Sequence, residues 1–290
     1  MKIKTYGARF YADQISRIDK GFLDLGHELV SESEFADVIY NNDFEQIYTT
    51  IVEHISYKVK YIQNVLDLPF HCWKSSDFKQ CKERLLQASA VTTISETVKE
   101  QILKEFGITA HCIYQPIKPI TNLNLKKSIE FAFIGRNLDP NKRTRLGIEV
   151  INKFRETIPN IRAVSVGGED MRVDGIEHLG ILNDEELNEV YNKTKYVFCL
   201  GSVEGLCLPI PESICGSSIP ICLGDNPTAF EFCPHAFIAK PEVDEIYKKI
   251  QKLDFYYEDL VEGICKPLSI IYQQQFSPKQ VAQNIIDSLS

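Results

Sequence analysis

The chain has 290 residues, 44% hydrophobic and 25% charged, with a formal net charge of −8. That length can bury two modest cores, and no run reaches the roughly 18 apolar residues of a membrane span, so a transmembrane segment is not expected. Residues 1–120 carry 14 Lys and Arg against 16 Asp and Glu, and residues 121–290 carry 18 against 24, so neither half has the basic excess that would suggest nucleic acid as a partner.

Met1 is followed by charged and polar residues with no apolar core suited to a secretory signal, which predicts a cytoplasmic protein and keeps a peripheral position at a membrane surface open. KIKTY (2–6) reads as a strand, and Gly7-Ala8-Arg9 as a turn. A helix follows with Ile15, Ile18, Phe22 and Leu25 on one stripe, stopped by Gly26. HELV (27–30) and DVIYN (37–41) read as short strands, then a helix around Ile47 to Ile55. VKYIQNV (59–65) is a strand, FKQCKERLLQA (78–88) a helix and AVTTI (90–94) a strand. Ser95 is the N-cap of a helix with Val98, Ile102 and Phe106 on one face, stopped by Gly107, and HCIYQP (111–116) is the last strand of this half.

Residues 117–128, with paired lysines and no hydrophobic period, read as a linker with the boundary near Asn122. The rhythm then repeats: strand FAFIG (131–135), helix RLGIEVINKF (145–154) and strand AVSVGG (163–168). Asn183 and Glu186 form a capping box before helix ELNEVYNKT (186–194). Strand YVFCL (196–200), helix PIPESIC (209–215) and strands IPICL (219–223) and AFIA (236–239) complete the series, a doubly wound parallel pattern. Ser277-Pro278 opens a final amphipathic helix with Val281, Ile285 and Leu289 on one side.

Nine cysteines are scattered without a Cys-x-x-Cys pair, several inside apolar runs, and read as reduced core residues. The six histidines include no pair at zinc spacing, so no metal site is expected.

Two constellations carry chemistry. In FIGRNLDPNKR (133–143) a strand ends at Gly135-Arg136, with Lys142 just before the next helix. In a parallel sheet the carboxyl ends of the strands line the ligand crevice, and the following helix directs its positive end there. Arg136 and Lys142 could flank a pyrophosphate; the alternative is a glycine turn with solvated cations. In GSVEGLCLPIPE (201–212), Pro209 and Pro211 rule out one continuous helix between Glu204 and Glu212. Glu204 is therefore placed in a loop at a strand end and Glu212 on the first turn of a helix. A carboxylate suits a ribose diol, and a second one a sugar hydroxyl or a developing positive charge; the alternative is a surface glutamate plus one that stabilises a helix terminus.

The run EGLCLPIPESICGSSIPIC (204–222) resembles the signature of family-4 retaining glycosyltransferases of the GT-B fold: two glutamates separated by seven residues, a Gly-x-x-Leu-Pro core and a later Gly before a strand. Strand-Gly-Arg with a Lys six residues after the Arg, as Arg136 and Lys142 stand, is similar to the same family. So are HLGILNDEELNEVYNKTKYVFCLGS (178–202) and Asn226-Pro227-Thr228 leading to Glu231, and the resemblance covers residues 129–240.

That resemblance implies two doubly wound parallel-sheet lobes facing a central cleft, with the C-terminal helix crossing back to the first lobe. The divisions are 1–121, a shortened acceptor-side lobe; 122–272, the donor-binding lobe; and 273–290, the returning helix. It implies transfer of a sugar from a UDP- or GDP-linked nucleotide sugar, with retained anomeric configuration, to an unidentified acceptor. No metal and no cofactor beyond that co-substrate are implied. Arg136 and Lys142 would hold the diphosphate next to Gly135, Glu212 the ribose, and Glu204 the donor sugar, with the amides of Gly205 and Leu206 close by. In the first half GARFYADQ (7–14) is similar to a shortened glycine loop, placing Gly7 near the donor, and Asp67 is a candidate substrate contact whose other reading is a turn residue. A nucleotide-sugar epimerase or phosphorylase of the same fold, or a nucleotide-sugar-binding protein without turnover, would use the same phosphate cradle.

Overall fold

The computed structural model describes residues 1–6, 12–31, 34–42, 59–66, 75–168 and 170–290. The helix expected around Ile47 to Ile55, together with Gly7 and Asp67, lies outside the described residues. The chain divides into two units, Met1–Pro116 with Gln274–Ser290, and Ile117–Gln273.

The first unit runs β1 (Lys2–Tyr6), α1 (Ala12–Asp24), β2 (Glu28–Leu29), β3 (Val38–Asn41), β4 (Lys60–Val65), α2 (Ser75–Leu85), β5 (Ala90–Thr93), α3 (Glu96–Phe106) and β6 (His111–Cys112). All described pairings are parallel, in the order β2-β1-β3-β4-β5-β6. Ser95 caps α3 by accepting the Val98 N–H at 3.2 Å, and Gly107 ends it in the left-handed region at φ 69°. One face of the sheet buries Ile3, Val38, Tyr40 and Ile62 against Ile18 and Phe22 of α1.

The second unit runs β7 (Ile129–Ile134), α4 (Thr144–Arg155), β8 (Ala163–Val166), β9 (Ile176–His178), α5 (Asp184–Lys193), β10 (Thr194–Cys199), α6 (Pro209–Cys215), β11 (Ile219–Leu223), α7 (Ala229–Phe232), β12 (Ile238–Ala239), α8 (Val243–Phe255), α9 (Tyr257–Leu260), a π-helical turn (Val261–Cys265) and α10 (Lys266–Gln275). Its sheet is also parallel, in the order β12-β11-β10-β7-β8-β9. β7 and β10 are central and apolar; Phe131 stacks on Phe198 at 5.2 Å and meets Phe154 of α4 at 5.5 Å. Both capping-box bonds form at α5, Asn183 Oδ1 accepting the Glu186 N–H and Glu186 Oε2 accepting the Asn183 N–H. Residues 117–128 belong to this unit, with the amides of Thr121 and Leu123 bound by the side chains of Asn188 and Asn192 on α5. The sequence reading passed over β9 and everything between β12 and the last helix.

That last helix, α11 (Pro278–Asp287), is capped by Ser277 and adds Val281, Ala282 and Ile285 to the core of the first unit. Its contact with α1 is close at Gly21, where a Cβ would stand 2.1 Å from the Pro278 carbonyl oxygen.

Candidate functional site

Two strand ends of the second unit build the site. β7 leads into Gly135 (φ 120°), whose N–H extends the ladder to the Val166 carbonyl at 3.0 Å. The next strand end lies close: a Cβ on Gly167 (φ 150°) would meet the Gly135 oxygen at 2.2 Å. Asn137 is buried and fastens the loop, its Nδ2 donating to Val166 O at 3.1 Å and its carbonyl accepting the Thr144 hydroxyl at 2.6 Å. Asp139 then caps a short 3-10 turn, Pro140–Lys142, by accepting the Asn141 N–H. This turn carries Lys142 at its end. Arg143 follows in the left-handed region at φ 48°, pairing with Asp225 at 2.7 Å, and α4 begins. Among the described residues no side chain caps α4 and the amides of Thr144 and Arg145 donate to no backbone carbonyl, so the start of this twelve-residue helix suits an anion.

The second strand end, after β10, bears the glutamates. Ser202 N–H donates to Asn141 O at 3.1 Å, tying the loop before Glu204 to the turn that holds Lys142. The Lys142 ammonium and Glu204 Oε2 meet at 2.9 Å, with side chains 25% and 8% exposed. Glu204 Oε1 is buried without a hydrogen-bond partner among the described residues, and it lies over Gly201, where a Cβ would stand 1.8 Å away. The recess around the pair is lined by Phe133, Phe198, Leu200, Cys207 and Pro209, apolar walls that strengthen any charge interaction inside it. Burial works against the Lys142 cation, yet Glu204 and the neighbouring thiols hold its pKa above the ordinary lysine value. A raised pKa means the charge is fully present at neutral pH and is lost only as pH climbs beyond the ordinary lysine range. The amides of Gly205 and Leu206 donate to no backbone carbonyl among the described residues.

Lys142 and Glu204 are thus brought together from separate strand ends. Arg136 is 77% exposed and pairs loosely with Asp139 at 3.3 Å. Glu212 stands on the first turn of α6 as expected from its prolines, but it is 4% exposed. Its Oε2 accepts the Tyr191 hydroxyl at 2.8 Å and its Oε1 the Lys118 N–H at 3.2 Å. Burial, reinforced by Glu212, pushes the Tyr191 hydroxyl well above its ordinary pKa, so it remains a donor.

The sequence reading missed Tyr191, and it missed a polar floor at the carboxyl ends of β3, β4 and β5 in the first unit. There Thr92 Oγ1 donates to Asn64 Oδ1 at 2.8 Å, the Asn64 amide donates to Asn42 Oδ1 at 2.5 Å, and Asn42 Nδ2 is buried without a partner among the described residues. The signal was present as Asn42 directly after DVIYN and Asn64 inside VKYIQNV, where a fully apolar strand would carry no amide. Among the described residues no group of three or more His, Cys, Asp or Glu could hold a metal ion, and no helix is long and apolar enough to cross a membrane.

No family model matches the chain, and no curated protein matches it. Solved structures do. Anabaena HepE in complex with UDP and glucose is similar at a TM-score of 0.75 and 15% identity, over 100% of this chain and 99% of that one; HepE has also been crystallised with UDP-glucose. A glycosyltransferase from Rickettsia africae matches at 0.75 and 12% identity, over 99% and 97% of the two chains. Sucrose-phosphate synthase from Thermosynechococcus elongatus matches at 0.77 and 12% identity, over 99% and 98%. At these identities the likeness establishes the fold, two Rossmann-like parallel units of the GT-B type.

Proposed function

We propose that the chain is a glycosyltransferase that moves a sugar from a UDP- or GDP-linked donor to an acceptor hydroxyl, with retention of anomeric configuration. The observation that carries this reading is the Lys142–Glu204 pair, buried at adjoining strand ends beside the uncapped start of α4. The donor diphosphate takes the place of a single anion there. The helix amides and Lys142 neutralise its charge, Arg136 swings in from the surface, and Gly205 and Leu206 present their amides. Glu204, released in part from Lys142, accepts hydroxyls of the donor sugar. Glu212 is braced by Tyr191 and the Lys118 amide, and its carboxylate holds the ribose.

In this arrangement the acceptor hydroxyl approaches the anomeric carbon on the face the diphosphate leaves, and a departing phosphate oxygen takes the acceptor proton. The bond from carbon to the phosphate oxygen breaks as the new glycosidic bond forms. The developing negative charge on the leaving group falls on Lys142 and the α4 amides, where it is stabilised more than in the ground state. HepE, similar along its whole length, is known with UDP-glucose, which favours a uridine donor.

The test is a thermal-shift screen of nucleotide sugars followed by product analysis. A donor at a hundred times its Kd adds about 2.7 kcal/mol of stability. Free UDP or GDP then appears with an acceptor, and the product keeps the donor's anomeric configuration. Donor binding without product across a broad acceptor panel marks a binding protein, and no stabilisation by any nucleotide sugar ends the reading.

Two further outcomes follow from the geometry. Glu212→Ala weakens donor binding about tenfold, the loss of about 1.4 kcal/mol expected for a hydrogen-bonded carboxylate. Tyr191→Phe removes the brace but keeps the carboxylate, and so lowers thermal stability with a smaller change in donor Kd. Equal Kd changes in the two variants, measured by calorimetry, would contradict the ribose assignment. Because the proposed counter-charges are Lys142, Arg136 and backbone amides, EDTA leaves turnover unchanged; inactivation reversed by manganese would overturn this.

A further inference from the structure

The second unit contains another recess, of about 320 Å³, that shares no lining residue with the Lys142–Glu204 site. Its walls come from residues 122–127, the end of α6, α9 and the π-helical turn. Three independent irregularities converge on it. Asn124 and Ser217 are two of the four described non-glycine residues with positive φ, at 53° and 58°. Val261 and Glu262 belong to the π turn, a form that recurs at functional positions. Lys127 places its ammonium inside the fold, where the only hydrogen bond it makes among the described residues is a long one, 3.4 Å, to the Gly216 carbonyl.

The charges around Lys127 divide clearly. Lys195 is satisfied by Asp254 at 3.1 Å, and Lys266 by Glu262. Lys126 and Lys127 form no ion pair among the described residues, while Glu258 lines the same recess. Burial lowers the Lys127 pKa to about 8, against the opposing pull of Cys265 and Glu258. A lysine that gains so little from its surroundings has donor capacity to spare, since an ammonium carries three N–H groups. Two unpaired cations at the mouth and floor of a polar recess fit a dianion. The volume exceeds that of a bare ion and falls within the range of small-ligand sites, about 300–1,000 Å³.

We propose that this recess binds a small phosphate monoester, with Lys127 and Lys126 as its cationic partners and the amide and hydroxyl groups of Asn124 and Ser217 at its rim. Lys127 also touches the carbonyl that closes α6, the helix whose first turn bears Glu212, so an occupant there pulls on the far end of the same seven-residue element.

The experiment is acetic anhydride labelling of the intact chain at pH 8, with inorganic phosphate as the probe and each lysine quantified by peptide mass spectrometry. Phosphate at about ten times its Kd should lower acetylation of Lys127 roughly tenfold by mass action. Lys79, 82% exposed on α2, should label equally with and without it. Lys126→Gln, a change at an exposed position, should shift the protection to higher phosphate. Lys127 labelling that stays constant across a phosphate titration at a fixed ionic strength of about 0.15 M would overturn the proposal, as would protection unaltered by Lys126→Gln. The signal is read at Lys127 itself, so donor binding at Lys142 stands or falls separately.

Discussion

Lys142→Ala is expected to lower turnover by about two orders of magnitude, the scale seen when a preorganised charge partner of a transition state is removed. The same change strands Glu204, whose side chain is 8% exposed and whose Oε1 already lacks a partner among the described residues. Leaving a buried carboxylate without its cation costs about 3 kcal/mol. Glu204→Ala should reduce turnover to a similar degree but destabilise less, because Lys142 is the more exposed of the two and can turn its ammonium toward water. The double variant should therefore be more stable than Lys142→Ala alone, a non-additivity that two residues in contact must show. Melting temperatures of the four proteins and their kcat values with a UDP-sugar check this. Strict additivity in both would mean that the pair does not act as a unit. Gly201→Ala reaches the same carboxylate without touching its charge. A Cβ there falls on Glu204 Oε1, so the glutamate has to leave its position.

The second large effect is expected at Gly21→Val, where α1 and α11 touch. A Cβ at Gly21 meets the backbone oxygen and carbon of Pro278 at 2.1 and 2.5 Å, and Ala282 Cβ at 2.9 Å. Backbone atoms cannot rotate away as a side chain can, so α1 and α11 must separate. Val281, Ala282 and Ile285 then lose their place against Ile18 and Phe22. Overpacking of this kind costs about 3 kcal/mol, equivalent to roughly 5 °C in Tm for a chain of this size. Limited proteolysis should cut near residue 277 in the variant and not in the parent chain. A variant with parental Tm and an intact C-terminal helix would show that the contact is looser than its geometry implies.

Much of the second unit was legible because its local signals agree with one another. Apolar runs of strand length, Asn183 and Glu186 at capping spacing, and Pro209 and Pro211 at the start of α6 each need only a few neighbouring residues to be read. The meeting of Lys142 and Glu204 was legible only as far as both stand at carboxyl ends of strands. Their distance depends on the Ser202–Asn141 bond between two loops, and a backbone bond leaves no trace in composition. Glu212 shows the same limit. Its partners include the amide of Lys118 and the hydroxyl of Tyr191, which sits on the apolar stripe of α5 and reads as core.

The stretch from α8 to α10 was missed for a different reason. Ile246, Ile250 and Leu253 do recur at helical spacing, but the pattern breaks at the π turn containing Gly263 and again at Pro267. The amide floor of the first unit reads as surface polarity unless the strands around it are known to be covered on both sides.

The docking of α11 against α1 has a consequence for biosynthesis. The strands of the first unit leave the ribosome early, yet the helix that seals their core is encoded after the whole of the second unit. The half translated first must wait with Ile18 and Phe22 unsealed, while the half translated later holds all of its own elements and can finish before it. Released chains that stop at residue 273 should therefore give a protease-resistant core from the later half and a sensitive earlier one, an order opposite to that of synthesis.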